Sequence, residues 1–115
     1  KSQARLMTCH PDLQRLFREV VKSVDCTILC GHRGREEQEE AFLLGHSRAR
    51  FPHSKHNTLP SMAVDVVPWP VDWKDLARFR ECAVVVKEQA VRLGIKVRWG
   101  GDFTTLVDMP HWELL

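Results

Sequence analysis

One carboxylate constrains this chain more than any other residue, because Asp65 lies inside the otherwise apolar run 62–67, MAVDVV. The run has the length and the valine content of a buried strand. A buried carboxylate is costly unless a cation or several hydrogen-bond donors compensate its charge. Asp65 therefore predicts one of two arrangements. It is either a structural aspartate paired with an arginine or with loop amides, or it is a ligand of a metal ion.

The remaining apolar patterns predict a single α+β domain covering residues 1–115. A chain of 115 residues is long enough for one such domain and too short for two. Apolar residues recur at helical spacing in three segments, and glycines follow two of them. We predict helices at 11–24, 36–44 and 73–93, and strands at 27–30, 62–67, 96–99 and 109–114. Helices and strands mixed in this way are typical of the α+β class.

Composition excludes several functional classes. With 43% hydrophobic and 28% charged residues and a net charge of +2, the chain is typical of an ordinary globular protein. Its charges are interspersed and its aromatic residues form no RNA-binding pattern, so we expect no nucleic-acid partner. No apolar run approaches the ~20 residues of a membrane helix, so we expect no membrane anchor. The first residues contain no apolar segment typical of a signal peptide.

The four cysteines, Cys9, Cys26, Cys30 and Cys82, form no CxxC pair. Two of them end or interrupt apolar patterns, which favours free buried thiols in a reducing compartment over a disulfide framework. A metal site built on Cys26 and Cys30 would need further ligands that the sequence does not identify.

Two histidines are candidate partners for Asp65. His56 lies towards the end of a long polar loop, 46–61, nine residues before Asp65, and His111 lies where the last strand begins. A loop this long in so small a domain is often functional. Hydrolytic zinc sites use three nitrogen or oxygen ligands and leave a position for water. The spacing alone is not specific, because it forms no short helical motif such as HExxH.

Two further residues are candidates for the chemistry. Asp108, three residues before His111, has two interpretations: a general base and acid beside the metal, or a turn-capping aspartate before Met-Pro. Arg33 lies in a turn between two glycines. It would bind a substrate carboxylate or an oxyanion, or would simply be a solvated loop arginine.

Taken together, these segments resemble the zinc peptidases of the D-alanyl-D-alanine carboxypeptidase/dipeptidase type, and in particular phage endolysins that act as L-alanyl-D-glutamate endopeptidases. The resemblance spans residues 31–113. It is carried by Gly31-His32-Arg33 with Gln38, Ser54-Lys55-His56, Ala63-Val64-Asp65, Trp99-Gly100-Gly101-Asp102-Phe103 and Asp108-Met109-Pro110-His111-Trp112-Glu113.

The resemblance implies a small α+β domain in which an antiparallel sheet carries the site and about three helices pack against it. His56, Asp65 and His111 match the Zn²⁺ ligands, and Asp108 matches the catalytic acid/base. The remaining matches are substrate or pocket residues: Arg33, which also matches a transition-state contact, and Ser54, Gln38 and Trp112.

The implied function is hydrolysis of the L-alanyl-D-glutamate bond in peptidoglycan stem peptides by a monomeric phage endolysin. Such an enzyme is made in the host cytoplasm without a signal peptide and acts on the cell wall after release. Two alternatives remain open, a D-alanyl-D-alanine dipeptidase or carboxypeptidase with the same site, and a non-catalytic zinc-site binding module.

The chain departs from the family pattern in one place. Many members have seven residues from the first histidine to the aspartate, with a glycine between them, whereas here the separation is nine and Ser61 takes the place of that glycine. We expect the longer stretch, 57–60, to enlarge the loop beside the site and to affect substrate preference more than metal binding.

Overall fold

Four helices and one four-stranded antiparallel sheet make up the fold, as a computed structural model describes it for residues 2–115. The helices are α1 (Ser2–Leu6), α2 (Pro11–Val20), α3 (Arg35–Leu43) and α4 (Leu76–Leu93). The strands are β1 (Cys26–Cys30), β2 (Ala63–Pro68), β3 (Val97–Trp99) and β4 (His111–Leu114). Short 3₁₀ turns occupy Lys55–Asn57 and Gly100–Asp102. The predicted α+β class with an antiparallel sheet is confirmed.

The order of the strands places two candidate ligands side by side. The sheet runs β1-β2-β4-β3, so β2 and β4 are its two central strands. In the register of β2 with β4, Asp65 lies directly opposite His111. Directly opposed residues have neighbouring Cβ atoms on the same face of a sheet. The pairing of two segments 46 positions apart therefore brings these side chains together.

The opposite side of the sheet is covered by two helices. α2 carries an apolar stripe at spacings of three and four, and α4 carries a second one. The two helices lie against each other and against the sheet, and their buried residues share one core with Val64 and Trp112. The stripe residues in that core are Leu13, Leu16, Phe17, Val20, Phe79, Ala83, Val86 and Ala90. This packing leaves the other side of the sheet for the site.

Two helix predictions need correction, and one helix was missed. The predicted helix 11–24 ends at Val20, and Val21 is already 49% exposed. The predicted helix 73–93 begins at Leu76, because the Asp75 side chain accepts from the backbone N–H of Arg78 and caps the helix there. The short helix α1 was not predicted.

Contacts that are distant in sequence hold α1. Arg5 donates to the carbonyl of Ile28, and the backbone N–H of Ile28 donates to the hydroxyl of Ser2. A helix of five residues is too short for apolar periodicity to predict. Among residues 2–115, no helix has both the length and the apolar character needed to cross a bilayer.

Candidate metal centre and active site

Asp65 and the two histidines converge on the open side of the sheet. The Nε2 atom of His56 and the Nδ1 atom of His111 each lie 3.3 Å from the same oxygen of Asp65, Oδ1. The two imidazole rings are 5.2 Å apart between centroids and steeply inclined to each other. The structure thus brings together the three residues that the sequence predicted as ligands.

Two atoms at this point lack a hydrogen bond. His56 Nε2 and Asp65 Oδ1 are buried and have no aligned partner, although they lie only 3.3 Å apart. Buried polar atoms are almost always satisfied, so an orphaned pair needs an explanation. Imidazole nitrogens and a carboxylate oxygen are ligands that zinc accepts. These residues therefore fit a metal ion held between them.

The loop that carries His56 is fixed by hydrogen bonds to its backbone. The Ser54 hydroxyl accepts from the N–H of His56, and the Ser54 N–H donates to the side chain of Asn57. The carbonyl of His56 accepts from the N–H of Arg33. Ser54 thus shapes the turn that presents His56, which is a supporting position in the pocket.

Gly31 orients the imidazole of His56. Its carbonyl lies 2.8 Å from His56 Nδ1, so that nitrogen carries the proton and Nε2 is left as the free ligand atom. A Cβ at Gly31 would clash with the carbonyl of Arg5 and the hydroxyl of Thr8, and would stand 3.0 Å from the sulfur of Cys9. The segment before α2 therefore packs directly behind a ligand, which requires glycine at this position.

Asp108 lies beside the ligands in a turn closed by a second glycine. Ligand atoms of Asp65, Asp108 and His111 all lie within 4.8 Å of one another. The N–H of Asp108 donates to the carbonyl of Gly100, and the Asp108 carbonyl accepts from the N–H of His111. A Cβ at Gly100 would clash with the Asp108 carbonyl and would lie 2.9 Å from the Cβ of His111. The position of Asp108 therefore depends on the close contact between its backbone and that of Gly100.

Arg33 reaches the site from the turn after β1. One of its terminal nitrogens lies 3.5 Å from Oδ2 of Asp65, and the other donates to Gln38 at 3.0 Å. Gln38 is fully buried, accepts also from Asn57, and donates to Ser47 and Ala49. Gln38 thus fixes both the Arg33 guanidinium and the loop that carries His56.

Charge and burial oppose each other at the ligands. Burial favours the neutral imidazole of His56, but the carboxylate of Asp65 only 3.3 Å away, with a contribution from Cys30, raises the pKa of His56 to about 10. Burial likewise favours neutral Asp65, yet His111 and His56 hold the pKa of its carboxyl well below its usual range. The metal-free site therefore carries a protonated His56 next to a carboxylate.

The pKa of Asp108 moves the other way. Burial raises it first, and the negative charge of Asp65 raises it further, against smaller opposing contributions from His111, His56 and Arg33. A carboxyl group with a raised pKa is better suited to exchange protons near neutral pH.

One predicted site residue is misplaced. Trp112 was expected to contact substrate, but it is 3% exposed and packs against Phe17 and Trp99 in the core. Neighbouring residues of a strand point to opposite faces, so the position after His111 faces the helices.

The cysteine pair considered as a metal site is not formed. The Cys30 sulfur lies 4.0 Å from Nδ1 of His56, but Cys26 is at the other end of β1, opposite Pro68. Cys9 and Cys82 are buried.

One group of residues around the ligands was not predicted. Glu113 accepts from His111 and is paired with Arg98 and Lys55. Its position two residues after His111 on a strand was the available signal, because such residues share a face.

Comparisons with known proteins agree with this arrangement. A family model described as phage L-alanyl-D-glutamate peptidase matches residues 1–114. The chain is 30% identical over 112 residues to the L-alanyl-D-glutamate peptidase of Escherichia phage T5, an alignment covering 93% of this chain and 81% of that protein. The crystal structure of the Serratia marcescens L-Ala D-Glu endopeptidase ChiX superposes with a TM-score of 0.86 at 35% identity, covering 99% of this chain and 86% of that one. The chain belongs to the phage L-alanyl-D-glutamate peptidase family.

Proposed function

We propose that this chain is a zinc-dependent peptidase that hydrolyses the L-alanyl-D-glutamate bond of peptidoglycan stem peptides. The observation that carries the proposal is the buried pair of unsatisfied atoms, His56 Nε2 and Asp65 Oδ1, with Nδ1 of His111 beside them. The names of the phage T5 relative and of the ChiX structure support the choice of bond.

His56, Asp65 and His111 would hold the zinc ion. When bound there, zinc lowers the pKa of a water molecule and polarises the scissile carbonyl. Three protein ligands leave a position open, as hydrolytic zinc sites require. Zinc is proposed over harder divalent ions because two of the three ligands are imidazoles.

Asp108 is the proposed general base and acid. Its carboxylate lies within 4.8 Å of ligand atoms of Asp65 and His111, close enough to receive a proton from the attacking water. Its raised pKa lets the same carboxyl group return that proton to the leaving amine of D-glutamate.

Arg33 is the proposed substrate contact. Its guanidinium is aimed into the site, where it would bind a carboxylate of the stem peptide or the oxyanion that forms on the carbonyl. Gln38 and Ser54 act indirectly, since Gln38 holds the guanidinium and Ser54 holds the turn of His56.

The proposed enzyme is a monomer. All of these site groups come from one chain, so the site needs no second copy to be complete. As a phage endolysin it would be made in the bacterial host and would reach the peptidoglycan on release from the cytoplasm.

The test is the mass of the products released from purified muropeptides of defined structure. Zinc-loaded protein should release N-acetylmuramoyl-L-alanine and a fragment that begins with D-glutamate, and a chelator should stop the reaction until zinc is restored. Release of D-alanine or of D-alanyl-D-alanine would instead assign the alternative bond. Absence of any cleavage by protein with zinc bound would favour the binding module.

A further inference from the structure

We propose that Glu113 is a positioning residue that, held by Lys55 and Arg98, makes Nδ1 the metal-binding nitrogen of His111. The inference rests on the proposed zinc site and concerns residues outside the ligand set.

The imidazole of His111 lies between two carboxylates. Its Nε2 atom lies 2.8 Å from Oε1 of Glu113, and its Nδ1 atom lies 3.3 Å from Oδ1 of Asp65. An ionised carboxylate can only accept hydrogen bonds, so Nε2 must carry the proton. In a neutral imidazole the other nitrogen then has the free lone pair, and here that nitrogen faces the ligands.

Glu113 is itself held by two cations. Its other oxygen, Oε2, lies 3.0 Å from a terminal nitrogen of Arg98 and 3.3 Å from Nζ of Lys55. Arg98 stands directly opposite Glu113 in the pairing of β3 with β4. Two cations on a side chain that is only 10% exposed keep the carboxylate ionised and fix its orientation.

Lys55 connects the Glu113 carboxylate to the loop of the other histidine. Lys55 directly precedes His56 in sequence, and its ammonium group donates to the carbonyl of Leu114 as well as pairing with Glu113. The loop that carries one ligand is thereby tied to the strand that carries the other. A carboxylate that only paired with surface cations would not direct its second oxygen at a ligand.

Hydrogen-bond partners of metal-binding histidines commonly change metal affinity 10- to 100-fold when they are removed. We therefore expect Glu113→Ala to weaken zinc binding by roughly that factor in a competition titration with a chromophoric chelator, and Glu113→Gln, which keeps an acceptor oxygen, to weaken it less. Glu19→Ala is the matched control, because Glu19 is also held by one lysine and one arginine, Lys22 and Arg92, but belongs to α2. Its zinc affinity should equal that of the original protein.

A second measurement does not depend on a variant that folds. Long-range ¹H–¹⁵N spectra of the zinc-loaded original protein should show Nδ1 of His111 bound to metal and Nε2 protonated. The opposite assignment, or zinc affinity unchanged in Glu113→Ala, overturns the inference. Failure of the original protein to bind zinc would instead overturn the proposed function, so the two failures are distinguishable.

Discussion

The site joins two regions that hold their ligands by different means. Asp65 and His111 are placed by the backbone ladder between β2 and β4, where the register alone sets them opposite each other. His56 is placed by a loop whose conformation depends on hydrogen bonds to Gly31, Ser54 and Arg33. A strand register tolerates side-chain changes but not backbone displacement, whereas the loop depends on individual polar side chains. The two regions should therefore respond to different substitutions.

The largest loss of activity is expected for Asp108→Ala. This variant tests whether Asp108 is needed for proton transfer but not for metal binding. Removing a general base and acid costs roughly 10²- to 10⁴-fold in rate. Zinc content should remain that of the original protein, because the three ligands are untouched. Steady-state kinetics on a muropeptide and metal analysis measure the two quantities. Asp102→Ala, which removes an exposed partner of Lys87, is the control, and full activity in Asp108→Ala would refute the assignment.

The second largest effect is expected for Gly100→Ala, which displaces the backbone next to Asp108. In Gly100→Ala the new methyl group clashes with the Asp108 carbonyl, so we expect a loss of about 1–3 kcal/mol in the free energy of unfolding. A displaced Asp108 should also lower kcat, by up to about 10²-fold. Gly34→Ala is the control, since its methyl group would meet only the Glu37 carboxylate at 3.7 Å. Urea unfolding and kinetics on both variants would show whether Gly100 is needed; equal behaviour would show that it is not.

The loop region should be sensitive to one buried amide. Gln38→Ala removes one hydrogen bond each from Arg33, from Asn57 and from the carbonyl of Ala49, at a cost of about 1–3 kcal/mol in the free energy of unfolding. Because the Arg33 guanidinium is then no longer fixed by Gln38, kcat/KM should fall about tenfold. Calorimetric zinc titration should show little change in affinity. Gln89→Ala, on the exposed side of α4, should alter none of these values, and an unchanged kcat/KM in Gln38→Ala would argue against a role for Arg33.

The smallest expected effect is the number of protons released when zinc binds. The pKa of His56 is raised to about 10 in the metal-free protein, so at pH 7 His56 is protonated and zinc must displace about one proton from it. Apparent zinc affinity should then rise with pH up to about 10. Titration calorimetry in buffers of different ionisation enthalpy counts the released protons, and zero release at pH 7 would contradict the raised pKa.

The same shift predicts how the stability of the metal-free protein depends on pH. A folded pKa above the ordinary value of 6.5 gives stability that is complete below pH 6.5 and is lost as pH rises through about 10. Denaturant unfolding at pH 6.5 and pH 9.5 should show the decrease, and His56→Gln should lack it.

The sequence predicted the parts of the site that depend on local pattern. Asp65 is conspicuous because a charge interrupts an apolar strand, and the α+β class follows from the spacing of apolar residues. The roles of His56 and His111 rested on the family resemblance, since only the pairing of β2 with β4 brings His111 to Asp65. Strand alternation alone places Glu113 on the face of His111, but the pairing of Glu113 with Arg98 required the register of β3 with β4. Trp112 was misassigned although strand alternation, applied at His111, would have turned it toward the helices.

The packing of residues Arg5, Thr8 and Cys9 around Gly31 has a consequence for how this domain tolerates rearrangement at its amino-terminal end. None of these residues is proposed to touch substrate, yet they support the carbonyl that orients His56. A truncation that removed them would free the backbone at Gly31 and so disturb the orientation of the His56 imidazole, although it removed no residue of the site itself. Any fusion of this domain to another at that end must keep residues 5–9 intact.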